Sequence, residues 1–361
     1  MVISGQSAAH ARPLALTRLT NRLERPVHLT QAPREAGCLI ISEHAGLVKK
    51  FCKDSNSLKK LVDLRDVIDP KSSRGLLGTT VERAKDNEHA RLFLSYIDTQ
   101  GDLLVVRFPV AEGRLLDEND MSVVIKIARI APNGHGSALD FLPDGTLLVT
   151  SGDGESEVKN SSHAAQSKTS PLGKVLRLNV TGSTGYKPAG DPSLLGFLPE
   201  VWAIGFRNPD QLTIDHQNGD VLVADNGESV LELNLVQGGR NYGWDIVEDR
   251  TCQATACKAS DYTAPVLALP RKDVQSKLIV GATYRGSLLP ELRGSFIYAE
   301  AHSGTLYSAR HNQASPWPHT LIAKIPGKTI SALSNGTDGE IYLTSSDGNL
   351  FQLSEAPPPA N

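Results

Sequence analysis

Arginine, asparagine and carboxylates crowd into one stretch of this chain, Val201–Trp244, which reads VWAIGFRNPDQLTIDHQNGDVLVADNGESVLELNLVQGGRNYGW. The Arg207 guanidinium beside the Asn208 amide makes a fork for an anionic or carbonyl-bearing ligand. Asp225, Glu228 and Glu232 follow at a spacing suited to a hard cation. With hard oxygen ligands and no Cys or His cluster beside them, that cation is Ca²⁺ rather than Zn²⁺. Taken alone, an Arg-Asn-Pro turn is ordinarily a surface strut and a short acidic run a solvated loop. No complete catalytic set lies within any one segment, so the fold has to bring distant residues together.

The elements available for that task are strands. A Gly turn followed by an apolar strand recurs as EHAGLVKKF from Glu43, TQGDLLVVRF from Thr99, LPDGTLLVT from Leu142, QNGDVLVAD from Gln217, HSGTLYSAR from His302 and TDGEIYLTSSDGNLFQL from Thr337. Each predicts a hairpin. The 31 Gly and 21 Pro interrupt nearly every window of helical length, leaving Ser57–Ile68 and Thr80–Ala90 as the two candidate short helices. Six hairpins at roughly 60-residue spacing predict an all-β chain, a six-bladed β-propeller of four-stranded antiparallel blades. Two β-sandwiches are the alternative, but no linker divides the chain between Lys159 and Pro199 beyond a polar loop. The expected organisation is a leader or disordered segment over 1–25, the propeller over 26–354 and a Pro-rich tail over 355–361. The opening ends in a small-residue Ala-His-Ala pattern but lacks the basic start and apolar stretch of a signal peptide.

Lys plus Arg number 37 against 40 Asp plus Glu, so no basic field attracts a phosphate backbone, and nucleic acid is excluded as a partner. No apolar run reaches the roughly 18 residues that span a bilayer as a helix. Cys38 and Cys52 flank a turn that places them opposite one another across a hairpin, and Cys252 and Cys257 bracket a short loop. Two local pairs point to disulfides and an oxidising compartment, although two buried thiols would also suit the second loop. Asn160, Asn179 and Asn335 sit in N-x-S/T acceptors.

Several motifs in one order carry a resemblance: GLLG at Gly75–Gly78, LDFLPDGTLLVTSGDG at Leu139–Gly154, AQSKTSPLGKVLRLNV at Ala165–Val180, GFRNP, NYGW, and VGATYRGSLLPELRGSFIYAE at Val280–Glu300. With them the chain resembles the soluble glucose/sorbosone dehydrogenase family from about Pro26 to Leu353. Those six-bladed propellers bind pyrroloquinoline quinone (PQQ) and calcium in their bacterial members. The last segment and the DNGE loop look closest to the branch of hedgehog-interacting-protein-like proteins.

The resemblance implies that His135, opening HGSALDF, is the catalytic base, in a motif one residue shorter than the family's. Imidazole titrates near neutral pH and suits removal of a hemiacetal proton as hydride leaves. It implies Arg207 as the electrophilic partner of a quinone oxygen, Asn208 at the cofactor edge, and Gln166 as a donor to the cofactor. For calcium it implies carbonyls of Gly227 and Glu228 with the carboxylates of Asp225 and Glu232. Asn226-Gly227 stands where the bacterial enzymes carry His-Gly. Of the cations that clamp the cofactor's carboxylates there, Lys328 is the one expected to persist, with His302 replacing a lysine. The function so implied is a periplasmic or secreted PQQ-dependent sugar dehydrogenase passing electrons to an external acceptor. The alternatives are a non-enzymatic calcium-binding propeller with a protein or glycan partner and, third, a calcium-dependent lactonase. GRNYGW and Asp153 are read as structural, and Asp144-Gly145 and Asp338-Gly339 as plain hairpin turns.

Overall fold

The computed structural model describes residues 14–32, 35–70, 74–82, 90–109, 114–128, 135–154, 163–253, 257–312 and 315–356. Six antiparallel sheets stand around an axis as a six-bladed β-propeller. Their innermost strands are Pro26–Gln31, Leu76–Val81, Gly136–Phe141, Pro209–Ile214, Leu278–Thr283 and Ile330–Asn335, one for each of blades one to six. Each lies against the innermost strand of the next blade, and the sixth lies against the first. All six Gly-turn segments form hairpins, one in each blade. In blade three, Lys187–Pro188 and Val201–Ile204 share the outer position beside Lys174–Asn179.

Alternating apolar residues make both faces of most blades hydrophobic, and neighbouring sheets bury them against each other. Between blades two and three, Phe93 and Phe141 meet edge to face with centroids 5.1 Å apart, among Val105, Leu139 and Val149. The ring is closed by the N-terminal side of the chain. Leu14–Thr20 pairs antiparallel with Leu350–Glu355, in register from Leu14 opposite Glu355, and supplies the outer strand of blade six. The segment expected as a leader over 1–25 therefore contains a propeller strand, and Glu355 belongs to the closing pair rather than to a tail.

Neither candidate helix is present among the described residues. Ser57–Asp63 is the outer strand of blade one, paired with Leu47–Cys52. Its register jumps from Val48 opposite Val62 to Lys49 opposite Lys60, so Leu61 is a bulge residue. That insertion puts Leu58, Leu61 and Val62 at helix-like spacing along a strand. Leu76–Val81 is likewise a strand, and 83–89 lie outside the described residues. Both disulfides are formed, Cys38–Cys52 across its hairpin and Cys252–Cys257 beside the short hairpin Val247–Glu248/Thr251–Cys252. Asn160 lies outside the described residues.

Candidate functional site

A cavity of about 780 Å³ opens at the end of the axis where the innermost strands begin. His135 and Gly136 reach it from the start of blade three, Arg207 and Asn208 from the start of blade four, and Glu228 from the turn between that blade's second and third strands. The His135 backbone stands just before a bulge, because Gly136 faces Ser151 while Leu139 faces Val149. Ser137 takes a positive φ of 82° there, and Gly136 sits so close to Gly152 N that a Cβ would lie 2.5 Å from it. With this geometry the shortened motif still brings His135, 4 % exposed, to the cavity wall.

Asp225 shapes the Arg-Asn-Pro turn. Its two carboxylate oxygens accept the backbone N–H groups of Arg207 (2.8 Å) and Asn208 (2.6 Å). Asn208 Oδ1 in turn accepts Gly136 N at 3.2 Å, tying the turn to the segment that carries His135. The Arg207 guanidinium lies 5.4 Å from the Trp244 ring centre, and Trp244 Nε1 donates to Asp153 at 2.6 Å. Asp153 N donates to Arg207 O at 2.8 Å. NYGW and Asp153 thus orient Arg207 from behind. Tyr242 stacks on Phe206 and donates to Leu235 O at 2.8 Å.

Burial raises the Asp225 carboxyl to about 7, with Asp153 adding repulsion and the two N–H groups opposing it. Glu232, facing Asp225 across the strand pair, is raised to about 8 by burial and then by Asp225. Glu232 accepts Asp249 N (2.6 Å) and Asn234 Nδ2 (3.3 Å). The loop between these acids is tight, since a Cβ on Gly227 would stand 2.5 Å from both Glu248 Oε1 and Val230 O.

This donor set does not suit a calcium ion. Both Asp225 oxygens brace backbone amides, the Glu232 oxygens accept Asp249 N and Asn234 Nδ2, and Gly227 O accepts Arg271 Nη1 at 2.7 Å. Among the described residues, Asp225, Glu228 and Glu232 do not converge on one point. Gln166 is turned to its neighbours, exchanging two hydrogen bonds with Asn241 (3.1 and 2.8 Å) and donating to Trp244 O at 2.5 Å. The buried Lys174 ammonium fixes that loop by donating to the carbonyls of Ala164, Ala165 and Leu172. Lys328 pairs with Asp347, and neither it nor His302 nor Gln166 lines the cavity.

Positive charge reaches the cavity from other positions. Arg25, Arg207, Arg271, Lys272 and Lys277 line it, against Asp210, Glu228 and Asp273, with Lys277 paired to Asp210 at 2.9 Å. A space of this size and excess charge fits a compact polycarboxylate such as PQQ. His44 also lines it. Burial, then Arg25, holds that imidazole down near 4, and its Nε2 is buried without a hydrogen-bond partner. Arg25, Arg271, Lys272 and Lys277 belong to no motif, although Lys277 immediately precedes an innermost strand and Arg271 and Lys272 lie a few residues earlier.

The Glucose / Sorbosone dehydrogenase family matches residues 23–352. An uncharacterized protein of Synechocystis sp. is 28% identical over 92% of this chain and 84% of its own length. The HIPL2 protein of Arabidopsis thaliana is 29% identical over 49% of this chain and 30% of its own length. Among solved structures, the PQQ-bound form of an aldose sugar dehydrogenase from Streptomyces coelicolor superposes with a TM-score of 0.74 at 19% identity, covering 95% of this chain and 99% of that one. At that identity the likeness establishes the fold.

Proposed function

The chain belongs to the glucose/sorbosone dehydrogenase family, and on that premise we propose that it oxidises an aldose or related sugar with PQQ as the immediate acceptor. The observation that carries this reading is that His135, Arg207 and Asn208, drawn from two blades, line one cavity whose cations outnumber its carboxylates. Bound there, PQQ supplies an electrophilic quinone carbon that takes up hydride. Arg25, Arg207, Arg271 and Lys272 would hold its carboxylates. The His135 imidazole accepts the proton of the sugar's C1 hydroxyl, which leaves a lactone once hydride has departed. Arg207 would stabilise the quinone oxygen as it gains negative charge, and Asp225 keeps that arginine's backbone in place. Calcium has no part in this scheme because Asp225, Gly227 and Glu232, expected to hold it, are engaged elsewhere. The two disulfides favour a periplasmic or secreted location. Electrons then leave to an external acceptor, as the chain has no C-x-x-C-H haem motif.

The test is to add PQQ to the purified protein and follow dye reduction with a panel of aldoses. Sugar-dependent reduction that His135→Ala abolishes supports the proposal, and absence of retained quinone absorbance after dialysis defeats it. A second reading, a non-enzymatic propeller that binds a protein or glycan, draws on the likeness to the HIPL2 protein and on Lys328 being paired with Asp347 outside the cavity. It gains if PQQ is not retained and a glycan array or pull-down returns a specific partner.

A further inference from the structure

Two consecutive carbonyls of the 225–232 loop point at arginines. Asn226 O accepts Arg207 Nη1 at 3.3 Å, and Gly227 O accepts Arg271 Nη1 at 2.7 Å. Arg271 is held on its other edges as well, with Nε donating to Asp273 O at 3.2 Å and Nη2 to Val274 O at 3.0 Å. Its own backbone N–H donates to Ser229 O at 2.9 Å, so guanidinium and loop are fixed to each other from both ends. The Asn226 side chain is consumed by Asp210 (2.6 Å) and Leu278 N (2.8 Å), and Gly227 is hemmed in by Glu248. The loop therefore has little freedom to turn its oxygens elsewhere.

We propose that Arg271 is the resident cation of this loop, occupying the Gly227 carbonyl, one of the two that the family resemblance assigns to calcium, and that the cavity binds carboxylate-bearing ligands without a divalent metal. The inference deepens the dehydrogenase reading, since it concerns the same cavity. A divalent ion placed at Gly227 O would share its ligand with a fixed positive group and be repelled by it. A guanidinium in the same place offers further N–H donors in a planar fork, which suits a carboxylate better than a point charge does. Arg271 is thus a binding residue for carboxylate-bearing ligands.

Two measurements test this, and their failures are distinct. Equilibrium dialysis of the chelator-treated wild-type protein against ⁴⁵Ca²⁺ alone requires neither PQQ nor sugar. The expected result is no site tighter than millimolar at the 225–232 loop. One Ca²⁺ bound per chain in the micromolar range, weakened by Glu228→Ala, overturns the proposal. Calorimetric titration with PQQ, and with propane-1,2,3-tricarboxylate as a redox-inert probe, is then run in EDTA and in CaCl₂. Wild-type affinity for either probe should agree within about twofold in the two buffers, fall at least tenfold in Arg271→Gln and recover in part in Arg271→Lys. Binding that appears only with CaCl₂, or an Arg271→Gln protein of unchanged melting temperature that binds as wild type does, sinks the idea. If PQQ fails to bind in both buffers while the tricarboxylate binds, the dehydrogenase reading falls and the Arg271 assignment stands.

Discussion

The two mouths of the propeller axis are built from the same six strands and have opposite characters. Where the innermost strands begin, the cavity of about 780 Å³ is rimmed by Arg25, Arg207, Arg271, Lys272 and Lys277. Where they end, a second hollow of about 480 Å³ carries Asp140, Asp215 and Asp338, with Arg285 and His216. The acids of the second mouth are held by their own backbone and by neighbouring blades, Asp140 also accepting Thr80 Oγ1 at 2.9 Å and Asp215 pairing with Arg285. Asp215 accepts Gln217 N at 3.0 Å, Asp338 accepts Glu340 N at 3.1 Å, and Asp140 accepts Phe141 N at 2.8 Å. At Asp338-Gly339 the contact helps a tight hairpin to close. The first mouth is lined by blade-to-blade connections and longer turns, and its cations outnumber its carboxylates.

The largest effects should separate the mouths by activity. His135→Ala and Arg207→Ala are expected to lower kcat/KM for sugar oxidation by roughly 10²–10⁴-fold. Arg285→Met, at the second mouth, should leave it within about twofold, measured by dye reduction with added PQQ. Comparable losses in all three variants would break the contrast.

The next effect concerns stability. Cys38–Cys52 closes a 14-residue separation in blade one. Replacing both with Ser should cost about 3 kcal/mol in urea unfolding, with kcat/KM at 25 °C unchanged.

A smaller effect distinguishes the mouths by pH. Folding lifts Asp225 from 3.8 to about 7 and Glu232 from 4.5 to about 8. Between those values the folded chain binds more protons than the unfolded one, so their contribution is full below about pH 4 and is lost as pH rises through 7 and 8. Glu232→Gln should therefore flatten the fall in melting temperature between pH 5 and 8.5 and gain about 1–2 kcal/mol at the alkaline end. A steeper fall in the variant would contradict the burial argument. The least effect belongs to Asp338→Asn. It should cost no more than about 1 kcal/mol in urea unfolding, the worth of a turn hydrogen bond, and leave ligand affinity untouched.

Much of this architecture is written locally. Each Gly turn with its following strand gave one hairpin to one blade, because turn chemistry and alternation are both short-range signals. Arg207, Asn208 and His135 were legible through motif order. The helical reading of Ser57–Ile68 failed because a bulged strand imitates a helix period, and that depends on a partner strand. Leu14–Thr20 was missed because its partner lies more than 300 residues away. Arg271 carries no motif and acquires its place only when Leu267–Pro270 pairs with Val230–Val236 as the outer strand of blade four. Asp225 and Glu232 looked like metal ligands because a sequence displays carboxylates without showing which amides they brace.

Since blade six takes its outer strand from Leu14–Thr20 and the other three from Ile330–Glu355, the ring cannot shut until Leu350–Glu355 has been made. A molecule enclosed by the complete ring is then acquired only after the first and last blades have met. A protease that clips ahead of Arg22 would strip one strand and bare the backbone of Leu350–Glu355 as a sticky edge, favouring ring-to-ring association over simple loss of the site.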